Sequence, residues 1–150
     1  MPVQIVISGI IVVASLALFA YWFRYSCLLI LSAQTTQDYA GVVAKASGLA
    51  VLDVQEQLES GEPFDLTAIR AAMEADFARV NQLLERVPEV GEHLSATERF
   101  VLRLDYRMMS VWSQLTAGRN PQQAREALLE QCAIVSHFAN AAGCAGVLRA

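Results

Sequence analysis

The sequence predicts an all-α protein in which a single N-terminal transmembrane helix continues into an up-down four-helix bundle. Three observations carry that expectation. The first 37 residues hold one charged side chain, Arg24, whereas every acidic residue lies in the remainder. In that remainder no stretch alternates with the two-residue period of a half-buried strand; apolar residues recur at steps of three and four. The breaks are short and fall at Ser60-Gly61-Glu62-Pro63, at Pro88 and Gly91, and at Gly118 to Pro121. Short connections favour antiparallel neighbours.

The anchor is expected over Val3 to Phe23, VQIVISGIIVVASLALFAYWF. As a helix this run is about 31 Å long, matching a hydrocarbon core of roughly 30 Å. Tyr21, Trp22, Arg24 and Tyr25 follow as a membrane-interface belt, with rings at headgroup level and a guanidinium able to snorkel there. Sliding the span to Ile10–Ser32 would place Arg24 near the bilayer centre at about 2.5–3.5 kcal/mol. A cleaved export signal needs a cationic start and a shorter apolar run; Met1 to Gln4 has no basic side chain. Arg24 and Lys45 lie after the span and no basic side chain before it, so the positive-inside rule puts the N-terminus outside and the body in the cytoplasm.

Beyond the belt comes an apolar neck, Cys27 to Leu31, whose Leu28, Leu29 and Leu31 need cover from a protein surface or the interfacial layer. The boundary between anchor with neck (1–33) and helical body (34–150) follows from this shift in composition.

In the body, the first segment is expected over Gln34 to Leu58, continuous with the anchor as one helix of roughly 84 Å. Ala40, Ala44 and Gly48 form a stripe of small residues along it, spaced to let a second helix approach closely. The second helix is expected from Leu66 to Arg86 with Asp65 as N-cap. Leu66, Ile69, Met73, Phe77, Val80 and Leu84 face the core, and Glu74, Asp76, Arg79, Glu85 and Arg86 form the surface. The third starts at a capping box, Ser95 to Glu98, and its heptad stripe of Val101, Leu104, Met108, Val111 and Leu115, widened by Phe100 and Trp112, is the expected core face. The fourth starts at Asn120-Pro121, buries Ala124, Leu128, Cys132, Val135, Ala139 and Ala142, and is expected to end at Gly143.

The chemistry-bearing residues are sparse. Net charge is −4, Lys45 is the one lysine, and no basic cluster exists to displace counterions, so a nucleic-acid partner is not expected. The three cysteines, Cys27, Cys132 and Cys144, are odd in number and widely spaced, which fits free thiols in a reducing compartment. His93 and His137 lack a carboxylate three residues before them, so neither belongs to a di-iron motif, and Cys132 with His137 offers at most two metal ligands. Nucleophile elbows and phosphate loops are absent, and Glu126 with Glu130, beside Arg125, reads as a solvated face. No catalytic residue, metal or cofactor is expected.

Arg99, Arg103 and Arg107, at steps of four, need anions to relieve their repulsion. Glu74, Asp76 or Glu85 would supply these within the bundle; an acidic partner would make the three a docking stripe.

The expected function is therefore that of a non-enzymatic, membrane-anchored interaction protein of a bacterial inner membrane, an accessory subunit, assembly factor or scaffold. Its partners would be the bilayer and other membrane subunits or a second copy, met through Leu28, Leu29, Leu31, Ala40, Ala44 and Gly48. The alternative is a bundle that senses or binds a small apolar ligand among Met73, Met108, Met109, Trp112 and Phe138.

Overall fold

A computed structural model describes residues 1–32 and 38–149. Among these the chain forms α1 (Pro2–Ser32), α2 (Ala40–Ser47), α3 (Val51–Glu59), α4 (Leu66–Arg86), a 3-10 helix (Pro88–Glu92), α5 (Ala96–Thr116) and α6 (Pro121–Arg149), and no strand. It divides into two compact units, Met1–Ala33 and Gln34–Ala150.

The first unit is α1. It is long and apolar enough to cross a membrane. Toward its C-terminal end, rings four residues apart stack along the helix, Phe19 on Phe23 and Tyr21 on Tyr25, both with centroids 6.4 Å apart. This is the spacing at which side chains of one helical face meet.

In the second unit the single first helix expected from the sequence does not form. α1 ends at Ser32, Asp38 and Tyr39 are not helical, and the segment from Ala40 is split into α2 and α3. Residues 33–37, expected to open that helix, lie outside the described residues. The split occurs at Gly48, which holds the left-handed conformation (φ 64°, ψ 40°) that favours glycine and closes α2. Helices of eight and nine residues are too short to persist alone in water. Neither N-cap residue, Tyr39 or Ala50, supplies a side-chain cap.

Asp38 Oδ1 accepts from the Ala40 N–H at 2.9 Å to open α2, and side chains from distant helices finish the other ends. Asn140 of α6 accepts from the Tyr39 N–H at 2.7 Å, ahead of α2. Asp76 of α4 accepts from the N–H groups of Ala50 and Val51 at the start of α3. One turn along α4, Arg79 donates to the Gly48 carbonyl at 2.8 Å. At the far end of α3, Arg125 of α6 donates to the carbonyls of Leu58 (2.6 Å), Gly61 (3.4 Å) and Glu62 (3.0 Å), with its guanidinium over the Phe64 ring. Asp76, expected on the surface, is thus buried, and Arg125 is committed to backbone.

The longer helices carry their own start signals. Asp65 Oδ1 accepts from Thr67 N and Ala68 N to begin α4. The Ser95–Glu98 box closes in both directions at the start of α5. Asn120 accepts from Gln123 N ahead of α6. Ile69, Met73, Val80 and Leu84 of α4 are buried as the spacing predicts. Phe77 stacks face to face on Tyr106 of α5, centroids 3.9 Å apart.

α6 is the axis of the unit: α2, α3, α4 and α5 all pack on it. Its buried residues, among them Ala124, Leu128, Cys132, Ile134, Phe138 and Ala145, spread over about half of the helix rather than along one narrow stripe, with Gln122, Glu126 and Ala133 exposed opposite. The helix does not stop at Gly143 but continues to Arg149. Gly143 is the close-approach residue of the α2 crossing. A β-carbon there would stand 2.5 Å from Tyr39 Cβ and 3.0 Å from Val43 Cγ2. In the sequence, the small residue for this contact had been sought on the α2 side.

Candidate functional site

α5 is a helix with two unlike faces, and the unexpected one is inside. Leu102, Tyr106 and Met109 are buried together with Asp105, Ser110, Ser113 and Thr116. The hydroxyls of Ser113 and Thr116 return to their own helix, donating to the carbonyls of Ser110 (2.8 Å) and Trp112 (2.7 Å), so they enter the interior without unmet hydrogen bonds. Their small size leaves room for α6, from which Gln131 donates to the Tyr106 carbonyl at 3.2 Å. On the α4 side, Arg70 reaches Ser110 at 3.5 Å and Arg103 donates from Nε to Asn81 Oδ1 at 2.6 Å. Polar cross-links therefore hold this face against its neighbours.

Beyond the half-buried Val101, the heptad stripe faces the other way. Phe100 is 67% exposed, Leu115 65%, Val111 55%, Trp112 47%, Leu104 41% and Met108 39%. This corrects the expected core face of the third helix. The period of three and four identifies a coherent face but does not say whether the chain itself covers it. Arg107, Met108, Val111, Trp112 and Leu115 line a shallow groove along it. Monomeric soluble proteins rarely expose contiguous apolar surface beyond a few hundred Å².

The three arginines do not act as one stripe. Arg99 is half-buried, Arg103 is engaged by the Asn81 amide rather than by an acid, and Arg107 is exposed at the groove's edge. Of the small residues proposed to meet a partner, Ala44 is buried within the body, Ala40 is half-buried, and Gly48 is an exposed helix end. Leu28, Leu29 and Leu31, like Tyr21, Trp22, Arg24 and Tyr25, all lie on α1. Of the five residues considered for an apolar ligand, Met73, Met109 and Phe138 are in the core whereas Met108 and Trp112 are on the outer face, so they do not converge on one site.

Burial governs the shifted titratable groups inside the body. Burial pushes the Cys132 thiol up to about 12, and its sulfur lies 3.8 Å from that of Met73. A thiol held protonated is a poor nucleophile and metal ligand. Burial also raises the Tyr106 hydroxyl and lowers the His137 imidazole, the charged form being disfavoured in each case. Among the described residues no group of three or more His, Cys, Asp or Glu side chains stands close enough to hold a metal ion.

No family model, curated protein sequence or solved structure matches the chain.

Proposed function

We propose that this chain is a non-enzymatic interaction protein, an accessory subunit, assembly factor or scaffold, anchored in a bacterial inner membrane by α1 with its body in the cytoplasm. In this reading α2 with α3 forms the first of four antiparallel segments of a bundle. Tyr21, Trp22, Arg24 and Tyr25 mark the membrane edge, and the leucines of the neck meet a neighbouring protein. The distribution of basic residues about α1 supports the orientation.

One observation carries the interaction role: α5 turns its large apolar side chains outward and its polar ones inward. Ordering such a face against water is unfavourable by about 25 cal/mol per Å² of apolar surface, so a partner that covers it gains that amount. A membrane anchor lets a modest interface suffice, because confinement to two dimensions raises effective concentration.

The test is site-specific photocrosslinking in native membranes, with the probe at Val111 and, as control, at the exposed Glu126 of α6. A protein adduct at 111 and none at 126 is expected. Equal adducts at both positions, or none at 111, would overturn the reading. Extraction of the chain by alkaline carbonate would overturn the anchor.

A further inference from the structure

We infer that the outer face of α5 is the seam of a homodimer, in which α5 of one copy packs in parallel against α5 of a second. This rests on the interaction role proposed above and names the partner of the same face.

The spacing is that of a coiled-coil seam. Val101, Leu104, Met108, Val111 and Leu115 alternate steps of three and four without interruption through most of α5. A lipid surface or a protein groove takes any amphipathic helix of this spacing and requires no interlocking of side chains along it. A partner helix does, because each seam side chain must enter a hole formed by four residues of the facing helix.

The alignment follows from the flanks. In a parallel pair all five seam positions meet their own counterparts. In an antiparallel pair the two kinds of seam position must alternate, and only four layers form. The fully overlapped antiparallel register also brings Arg107 against Arg107 of the second copy, two like charges with no acid between them. In the parallel pair Arg107 instead faces the flanking position five residues on, Trp112 of the second copy, where a guanidinium over an indole ring is attractive. Both residues line the same groove.

The area is sufficient. At the exposures given above, the six apolar side chains present on the order of 500 Å² per copy. Two such faces would remove about 1,000 Å² from water, the lower bound for a specific interface. The rival occupant, an anionic lipid surface, is opposed by the charge of the chain, which carries 15 acidic residues, none of them in the first 37.

The test uses the full chain in mild detergent and in native membranes. By light scattering the wild type is expected to have twice the mass of one chain. Leu104→Glu and Leu115→Glu should each weaken dimerisation at least tenfold while keeping the helical content and thermal melt of the body. Should one variant fail to fold, the other decides, since the two lie about three helical turns apart on the seam. Under mild oxidation Leu104→Cys and Val111→Cys should each form a homotypic disulfide above the background of the three native cysteines, and Glu126→Cys should not. Monomeric mass with no disulfide at 104 or 111 overturns the homodimer. So does a photoprobe at Val111 that captures only lipid, or only a different protein; in the latter case the interaction role stands while the homodimer falls. Disulfides between 104 and 111 in place of homotypic ones overturn the parallel alignment.

Discussion

Asp76→Ala tests whether α3 exists because a side chain from α4 completes it. The carboxylate is 2% exposed and takes two backbone N–H groups, those of Ala50 and Val51, at a helix start that has no cap of its own. Loss of an N-capping side chain costs about 1 kcal/mol, within a range of about 0.5–2. Val51 is 1% exposed, so its N–H would lose its partner in a buried place, which adds about 1 kcal/mol or more. A total of about 2 kcal/mol corresponds to a fall of roughly 10 °C in Tm for a domain of this size. Asp76→Asn keeps an amide oxygen as acceptor and should lose less than half as much.

Wild type also separates from both non-titrating variants in pH. Burial raises the folded-state pKa of Asp76 despite its two hydrogen bonds and nearby Arg79. The folded protein therefore holds that proton more tightly than the unfolded chain. The resulting stability is fully present below the ordinary carboxyl pKa and is lost as pH rises through the folded value. Wild type should accordingly gain on Asp76→Asn as pH falls through the carboxylate range. The assay is urea denaturation in mild detergent followed by circular dichroism, repeated from pH 7 downward. Equal stability of the alanine and asparagine variants at pH 7, or a gap that moves the other way with acid, would refute the capping account.

Gly143→Ala should lower stability by about 1–3 kcal/mol, because the added carbon lies against Tyr39 and Val43 at the α2 crossing; a melt unchanged within 2 °C would show that the crossing yields freely. Arg125→Ala should loosen the end of α3, and amide exchange of residues 55–60 should accelerate at least tenfold relative to α4, with uniform protection arguing against the role. Native Cys132 should react with alkylating reagent far more slowly than half-buried Cys144, by at least tenfold, and equal rates would contradict its protonated, enclosed state.

What was legible in the sequence was local. Asp65, the Ser95–Glu98 box and Asn120-Pro121 announce helix starts because cap and capped groups lie within three residues of one another. The buried face of α4 was legible because its apolar residues form one stripe with charge opposite. α2 and α3 were not separable in advance. Apart from the local Asp38 cap on Ala40, their end groups are met by Asp76, Arg79, Arg125 and Asn140, tens of residues away, and no local pattern encodes those contacts. The outer face of α5 was legible as a face and misassigned as to side. Ser110, Ser113 and Thr116 do not advertise burial, yet the Ser113 and Thr116 hydroxyls donate to carbonyls of their own helix, Ser110 accepts from Arg70, and their small size admits a close neighbour.

The order of packing runs against the order of synthesis. The helix on which every other element of the body leans follows all of them along the chain. Until it emerges, the inward residues of α2 through α5 have no common surface to settle on, and their short-range partners cannot substitute for it. Assembly of the body is thus deferred until α6 has been made, a route that lengthens the interval in which a nascent chain depends on protection from its neighbours.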